Sequence, residues 1–154
     1  MPTVYIDADA CPVKPETYRV ALRHALPVVL VANNPQQIPD HPLISLTVVA
    51  GFGAADDWIA GQCRPGDLCV TADIPLAARV VAAGGIAIDS KGRVLDDNTV
   101  GEALALRDLR EELREAGTAT GGPSGMTPKD RSRFLSELDR LAVLVKRKHG
   151  HPPV

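Results

Sequence analysis

Short runs of apolar residues alternate, over residues 3–92, with segments in which apolar side chains recur at helical spacing. Continuous aliphatic and β-branched runs are typical of strands buried on both faces, whereas recurrence at three and four residues indicates helices. The predicted strands are residues 3–7, 27–33, 43–50 and 68–73, and residues 86–92 are predicted to form a fifth strand and a turn. The predicted helices between them are residues 15–26, 54–63 and 75–85. This alternation predicts an α/β domain with a central, mostly parallel five-stranded sheet flanked by helices.

The C-terminal third of the chain is predicted to be helical. Thr99 and Glu102 have the spacing of a capping box, which predicts a helix that runs to Gly117. The segment TPKD at residues 127–130 combines a threonine N-cap, a proline at the first helical position and an acid in the first turn. It predicts a last helix that ends near His149.

The length and composition predict one domain. The chain has 154 residues, of which 45% are apolar, and this is enough to bury a core. We expect a single domain over residues 1–150, with a helical C-terminal part at 97–149 and a tail at 151–154. The segment TATGGPSG at 118–125 is predicted to be a flexible loop between the last two helices.

The net charge and the cysteines indicate which partners and which cellular compartment to expect. The net charge is -2, with three basic and six acidic residues in 1–62 but ten basic and eight acidic residues in 101–154. This modest asymmetry does not by itself indicate a nucleic-acid or membrane partner. The three cysteines form no CxxC pair and no zinc-finger spacing, which favours a reducing compartment. We expect a cytoplasmic protein with no signal peptide and no membrane span.

Two carboxylates end the first predicted strand. Asp7 and Asp9 are one residue apart in VYIDADACP, and side chains at i and i+2 of a strand face the same way. Both are therefore expected to point into one crevice, where their mutual repulsion favours a bound cation. Mg²⁺ or Mn²⁺ suits such carboxylates. The alternative is that Asp9 caps a turn and that Asp7 accepts backbone N–H groups. Cys11 follows closely enough to lie near the same crevice.

Further acids occupy similar positions. Asp56 and Asp57 begin the helix after a glycine-bracketed turn, and Asp73 follows the fourth strand. Each is also well placed as a helix N-cap or first-turn acid. However, the carboxyl ends of parallel strands form one edge of a sheet, where ligands bind. Three acidic sets at that edge point to a site more readily than to three separate caps.

The motifs resemble those of a known family. In chain order they are DADACP, VAN, GFGAADDWI, VTADIPLA and TGGP. Together they resemble the bacterial YaiI/YqxD family from about Thr3 to Gly150. The resemblance implies a PIN-like fold, in which many members are Mg²⁺- or Mn²⁺-dependent nucleases with acids at the strand ends. Two departures from the nuclease pattern are the additional Asp9 and the lack of an acid closely after Asp73.

The function hypothesis is metal-assisted hydrolysis of a phosphodiester, with RNA or another nucleic acid as substrate. The predicted catalytic acids are Asp7, Asp9, Asp57 and Asp73. The predicted ligands of the Mg²⁺ or Mn²⁺ ion are Asp7, Asp9, Asp56, Asp57 and Asp73. The predicted substrate contacts are Asn33, Lys14 and Lys129. The five aromatic residues are interpreted mainly as core, so a base-stacking platform is not expected.

Two alternatives stay open. One is a phosphotransferase in which Asp7 is the covalent nucleophile and Asp9 its acid, although Ala10-Cys11-Pro12 follows in place of the Gly-Thr or Gly-Val expected of such enzymes. The other is a non-catalytic module that binds RNA or a protein and keeps only a structural ion. The sequence does not distinguish RNA, DNA and nucleotide substrates, and it does not predict the oligomeric state.

Overall fold

The computed structural model describes residues 2–115 and 126–149. The predicted loop at 118–125, the predicted helix end at Gly117 and the tail at 151–154 lie outside these residues. The strands are β1 Val4–Asp7, β2 Val28–Ala32, β3 Ile44–Val48, β4 Leu68–Val70, β5 Ile86–Ile88 and β6 Val94–Leu95. The helices are α1 Lys14–Arg23, α2 Ala54–Gln62, α3 Ile74–Ala82, α4 Val100–Glu115 and α5 Pro128–His149.

The strands form one sheet in the order β3-β2-β1-β4-β5-β6. The first five strands in this order pair in parallel, and β6 pairs antiparallel to β5. The predicted α/β class and mostly parallel sheet are confirmed. The strand count of five was wrong, because the short β6 is formed by a hairpin. Asp89 creates this hairpin by accepting backbone N–H bonds from Lys91 and Arg93 at 2.9 and 2.8 Å.

Helices cover both faces of the sheet, and the alternation of side chains along β1 decides which residues meet which helices. Val4 and Ile6 belong to the cluster that includes Phe134 and Leu138 of α5. Tyr5 points to the other face and packs with Ile59 of α2. The parallel strands are therefore buried on both sides, which explains their continuous apolar sequence.

The last two helices begin with side-chain caps. At α5 the predicted cap is confirmed: Thr127 N–H donates to Asp130 Oδ2, and Asp130 N–H donates to Thr127 Oγ1, both at 3.1 Å. At α4 the predicted partner was wrong. Thr99 exchanges hydrogen bonds with Asp96, whose backbone N–H lies 3.0 Å from Thr99 Oγ1. The reciprocal bond therefore comes from Asp96, three residues before Thr99, and not from Glu102.

Helix α4 differs from the others because none of its described residues is buried. Three of its leucines are exposed: Leu106, Leu109 and Leu113. The chain of 2–115 and 126–149 contains no helix that is long and apolar enough to span a membrane.

Candidate functional site

The site lies where the strand order reverses. The chain leaves β1 to form β2 and β3 on one side and later returns to place β4 and β5 on the other. The connections above β1 and β4 therefore diverge, and a crevice opens at their carboxyl ends. A cavity of about 310 Å³ occupies this position. Its lining includes four of the predicted acids: Asp7, Asp9, Asp56 and Asp73.

Thr71 connects two of these acids. Its hydroxyl donates a hydrogen bond to Oδ2 of Asp7 at 2.9 Å. The hydroxyl oxygen of Thr71 also accepts the backbone N–H of Asp73 at 3.0 Å. Thr71 is only 4% exposed, so this hydroxyl is held away from solvent. Thr71 was not among the residues predicted for the site, and its polar role is visible only in the structure.

Asp73 caps α3 and lines the cavity at the same time. Its Oδ1 accepts the backbone N–H of Leu76 at 3.0 Å, which is the capping role considered from the sequence. The side chain still lines the cavity. A capping carboxylate and a site carboxylate are therefore not alternatives at this residue.

Asp9 lines the cavity from a turn and not from the strand on which it was predicted. Strand β1 ends at Asp7, and Ala8–Ala10 form a 3-10 turn. The argument from strand alternation was therefore wrong, although Asp9 lines the same cavity. Its Oδ2 accepts the backbone N–H of Asn33 at 3.0 Å, which ties the turn to the end of β2.

The structure separates Asp56 from its neighbour Asp57. Asp56 lines the cavity. Asp57 points outward to an ion pair with Arg79, in which Oδ1 lies 2.8 Å from a guanidinium nitrogen and the side chains are 73% and 50% exposed. The structure therefore does not bring Asp57 together with the other predicted catalytic acids.

The carboxylates influence one another electrostatically. Burial, the negative charges of Asp73 and Asp7, and a hydrogen bond with Asp73 together raise the pKa of Asp56 to about 6, against an opposing effect of Arg79. Burial also raises the pKa of Asp7, while the Thr71 hydroxyl lowers it and the charges of Asp73 and Asp9 raise it. Such perturbed carboxyls in a cleft are typical of functional sites.

Only one of the three predicted substrate contacts lines the cavity. Asn33 lines the cavity. Lys14 begins α1, and Lys129 lies exposed in the first turn of α5, and neither lines the cavity. The cavity includes Ser90, which the sequence reading did not consider. Ser90 lies two residues after the end of β5, and such a position beyond a strand is the kind of signal that was used for the acids.

The motifs that suggested a relationship are supported by comparison with known proteins. A family described as "Uncharacterized BCR, YaiI/YqxD family" matches residues 5–143. The chain belongs to the YaiI/YqxD family. No solved structure matches this chain significantly.

Bacterial relatives of the YaiI/YqxD chain share its length. A UPF0178 protein of Rhodopseudomonas palustris is 49% identical, with 97% of this chain and 92% of the relative covered. A UPF0178 protein of Gluconacetobacter diazotrophicus is 52% identical, with 91% and 92% covered. A UPF0178 protein of Caulobacter vibrioides is 51% identical, with 94% and 95% covered. The alignment therefore spans nearly the whole fold described above.

The donor set of this YaiI/YqxD site fits a hydrated hard cation. Among the described residues, no three side chains of the His, Cys, Asp and Glu types enclose a metal site by themselves. Mg²⁺ keeps several waters and binds through one or two carboxylates, so it does not need such an enclosure. The mutual repulsion of Asp7, Asp56 and Asp73 is also what a cation would relieve.

Proposed function

We propose that the chain is a PIN-like, metal-dependent hydrolase that cleaves phosphodiester bonds in RNA or another nucleic acid. The observation that carries the proposal is the convergence of Asp7, Asp56 and Asp73 from three separate segments in one cavity at the strand-order reversal. The family resemblance to PIN-like domains supports the same reading. Three free cysteines support a cytoplasmic location as part of this proposal.

The residues have separable roles in this proposal. Asp7 and Asp73 would hold Mg²⁺ or Mn²⁺, with Asp9 acting through water. Such an ion lowers the pKa of a bound water and stabilises negative charge on a phosphate oxygen. Thr71 orients the Asp7 carboxylate through its 2.9 Å hydrogen bond. Asp56 faces the same cavity and would accept the proton of the attacking water.

The proposal is tested by titrating Mn²⁺ calorimetrically into the metal-free protein. The wild type is compared with the double variant Asp7→Asn/Asp73→Asn and with Asp57→Asn. Asp57→Asn is the matched control, because it removes an acid adjacent to Asp56 whose side chain lies outside the cavity. We expect binding by the wild type and by Asp57→Asn, and none by the double variant.

Cleavage of labelled RNA and DNA oligonucleotides in Mn²⁺ is then measured with the same three proteins. Activity lost only in the double variant supports the hydrolase. Metal binding without cleavage of either polymer would contradict it and favour the non-catalytic module. An acyl-phosphate on Asp7 after incubation with a phosphate donor would instead favour the phosphotransferase.

A further inference from the structure

A second concave surface adjoins the acidic cavity. This arginine groove, of about 330 Å³, lies between the start of α3 and one face of α4. It shares Ala72 and Asp73 with the acidic cavity. Four guanidinium groups line it: Arg93, Arg107, Arg110 and Arg114. Arg93 is paired with Asp89, and the other three guanidinium groups belong to α4. Positive charge therefore lies directly beside the negative charge of the acidic cavity.

The arginines of α4 share one face because of their spacing. Residues 107, 110 and 114 are three and four positions apart, which aligns them along a helix. Within 2–115 and 126–149, neither Arg110 nor Arg114 forms an ion pair with a carboxylate. Arg107 forms an ion pair with Glu111, in which a guanidinium nitrogen lies 2.9 Å from Oε1. The groove therefore carries positive charge that its own acids do not balance.

An exposed aromatic residue stands on the α2 side of the acidic cavity. Phe52, one of the five aromatic residues that were interpreted mainly as core, has a relative exposure of 108%. It lies between Gly51 and Gly53, whose φ values of +119° and +72° form a sharp turn that L-residues rarely adopt. The adjacent Gly53 lines the cavity. The turn thus displays an aromatic ring beside the site instead of burying it.

We propose that the arginine groove binds the sugar-phosphate backbone of a single-stranded nucleic acid, whose chain continues past Asp73 into the acidic cavity and stacks a base on Phe52. Guanidinium groups bind phosphates through paired N–H donors. Exposed aromatic rings stack on bases of single strands. Cleavage of the bound strand rests on the proposed function. Binding of the strand does not require cleavage and is measured separately.

The test measures fluorescence anisotropy of labelled oligouridine and oligothymidine of about ten nucleotides. EDTA is present, so that binding is observed without cleavage, and KCl is varied from about 50 to 300 mM. The wild type is compared with Arg110→Ala/Arg114→Ala, with Phe52→Ala, and with Arg19→Ala/Arg147→Ala. The last pair is the matched control, because both residues are exposed on other helices and remove the same charge.

We expect the groove pair, Arg110→Ala/Arg114→Ala, to raise Kd about tenfold or more. It should also reduce the slope of log Kd against log salt concentration by about 1 to 2. Phe52→Ala is expected to raise Kd about tenfold without changing the salt slope. The control pair should stay within about twofold of the wild type, apart from the small nonspecific effect of net charge. Binding of both polymers supports recognition of the backbone alone, and binding of RNA only supports additional recognition of the 2′-hydroxyl.

The proposal would be overturned if the groove pair and the control pair weakened oligonucleotide binding equally. It would also be overturned if the wild type did not bind. Equal competition by a polyglutamate of the same length would also overturn it, in favour of an acidic protein segment. These outcomes differ from failure of the proposed function. An oligonucleotide that binds through Arg110 and Arg114 but is not cleaved in Mn²⁺ would contradict only the hydrolase.

Discussion

The hydroxyl of Thr71 donates to Oδ2 of Asp7, which joins the ends of two neighbouring central strands across 64 positions of sequence. This bond fixes the orientation of a carboxylate that is already partly removed from water. It also favours the ionised form of Asp7, because it lowers a pKa that burial raises. The negative charge at the strand-order reversal is thus stabilised by a single side chain.

Replacing Thr71 by Val is expected to destabilise the fold by about 1–2 kcal/mol, since the shape is kept while a partly buried carboxylate loses its donor. Without the hydroxyl, the pKa of Asp7 rises further. The lost stabilisation is present while Asp7 is ionised and disappears as the pH falls through its titration.

Urea unfolding at about pH 8 and pH 4 should therefore give a larger loss at the higher pH. Thr71→Ser is the control, because it keeps the hydroxyl and loses a methyl group at both pH values. An equal loss by Thr71→Val at both pH values would contradict a charge-assisted bond.

Asp73 gives a second prediction, because it both caps α3 and faces the cavity. Asp73→Ala should cost about 1 kcal/mol of stability, whereas Asp73→Asn should cost only a few tenths, since asparagine is an equally good N-cap. Thermal unfolding of the two variants in EDTA measures this difference. Equal stability of the two variants would mean that the 3.0 Å bond to Leu76 contributes little.

The edge that carries the acids was predictable, and the partners of the acids were not. Asp7 and Asp73 follow apolar runs, and the carboxyl ends of parallel strands place such residues at the same edge of the sheet whatever the strand order. The order itself places β1 beside β4. Only that adjacency gives Thr71 its bond to Asp7, whereas its bond with the backbone N–H of Asp73 is local. Nothing in the local sequence distinguishes this threonine from one that packs on a strand.

Adjacent acids illustrate a second limit of sequence reading. Asp56 and Asp57 are equivalent as first-turn residues, but neighbouring positions point about 100° apart on a helix. The phase of α2 is set by the turn that ends at Gly53, in the left-handed region. The cavity therefore receives Asp56, while Asp57 meets Arg79. The exposure of Phe52 follows from the same turn, which the glycines mark but whose direction they do not reveal.

The raised pKa of Asp56 should make the free energy of unfolding depend on pH. Its pKa of about 6 lies above the ordinary value of 3.8, so the folded state binds more protons than the unfolded state between these values. Stability then falls as the pH rises from about 4 to about 6, and it stays lower above that range. Asp56→Asn should remove this penalty and stabilise the metal-free protein at about pH 7.5. The gain should be about 1 kcal/mol, after allowance for the screening of a partly exposed group.

Thermal unfolding of Asp56→Asn and Asp57→Asn across this pH range provides the measurement, with EDTA present throughout. Asp57→Asn should show no such gain, because it loses an exposed ion pair with Arg79 instead. A wild-type midpoint that is constant from about pH 4 to 7.5, or that rises more than that of Asp56→Asn, would contradict the raised pKa.

The hairpin between β5 and β6 gives a prediction about packing that is independent of the site. Gly92 has a φ of +85°, and a Cβ added there would lie 2.7 Å from Cγ and 2.9 Å from the backbone carbon of Arg133. Gly92→Ala therefore combines left-handed strain with a collision against the α5 backbone, and it should destabilise the fold by about 2–3 kcal/mol. Gly61→Ala is the control, because nothing lies within 4 Å of its added Cβ. This helical substitution should be stabilising by up to about 1 kcal/mol. Urea midpoints that are the same for both variants would show that the turn does not rest against α5.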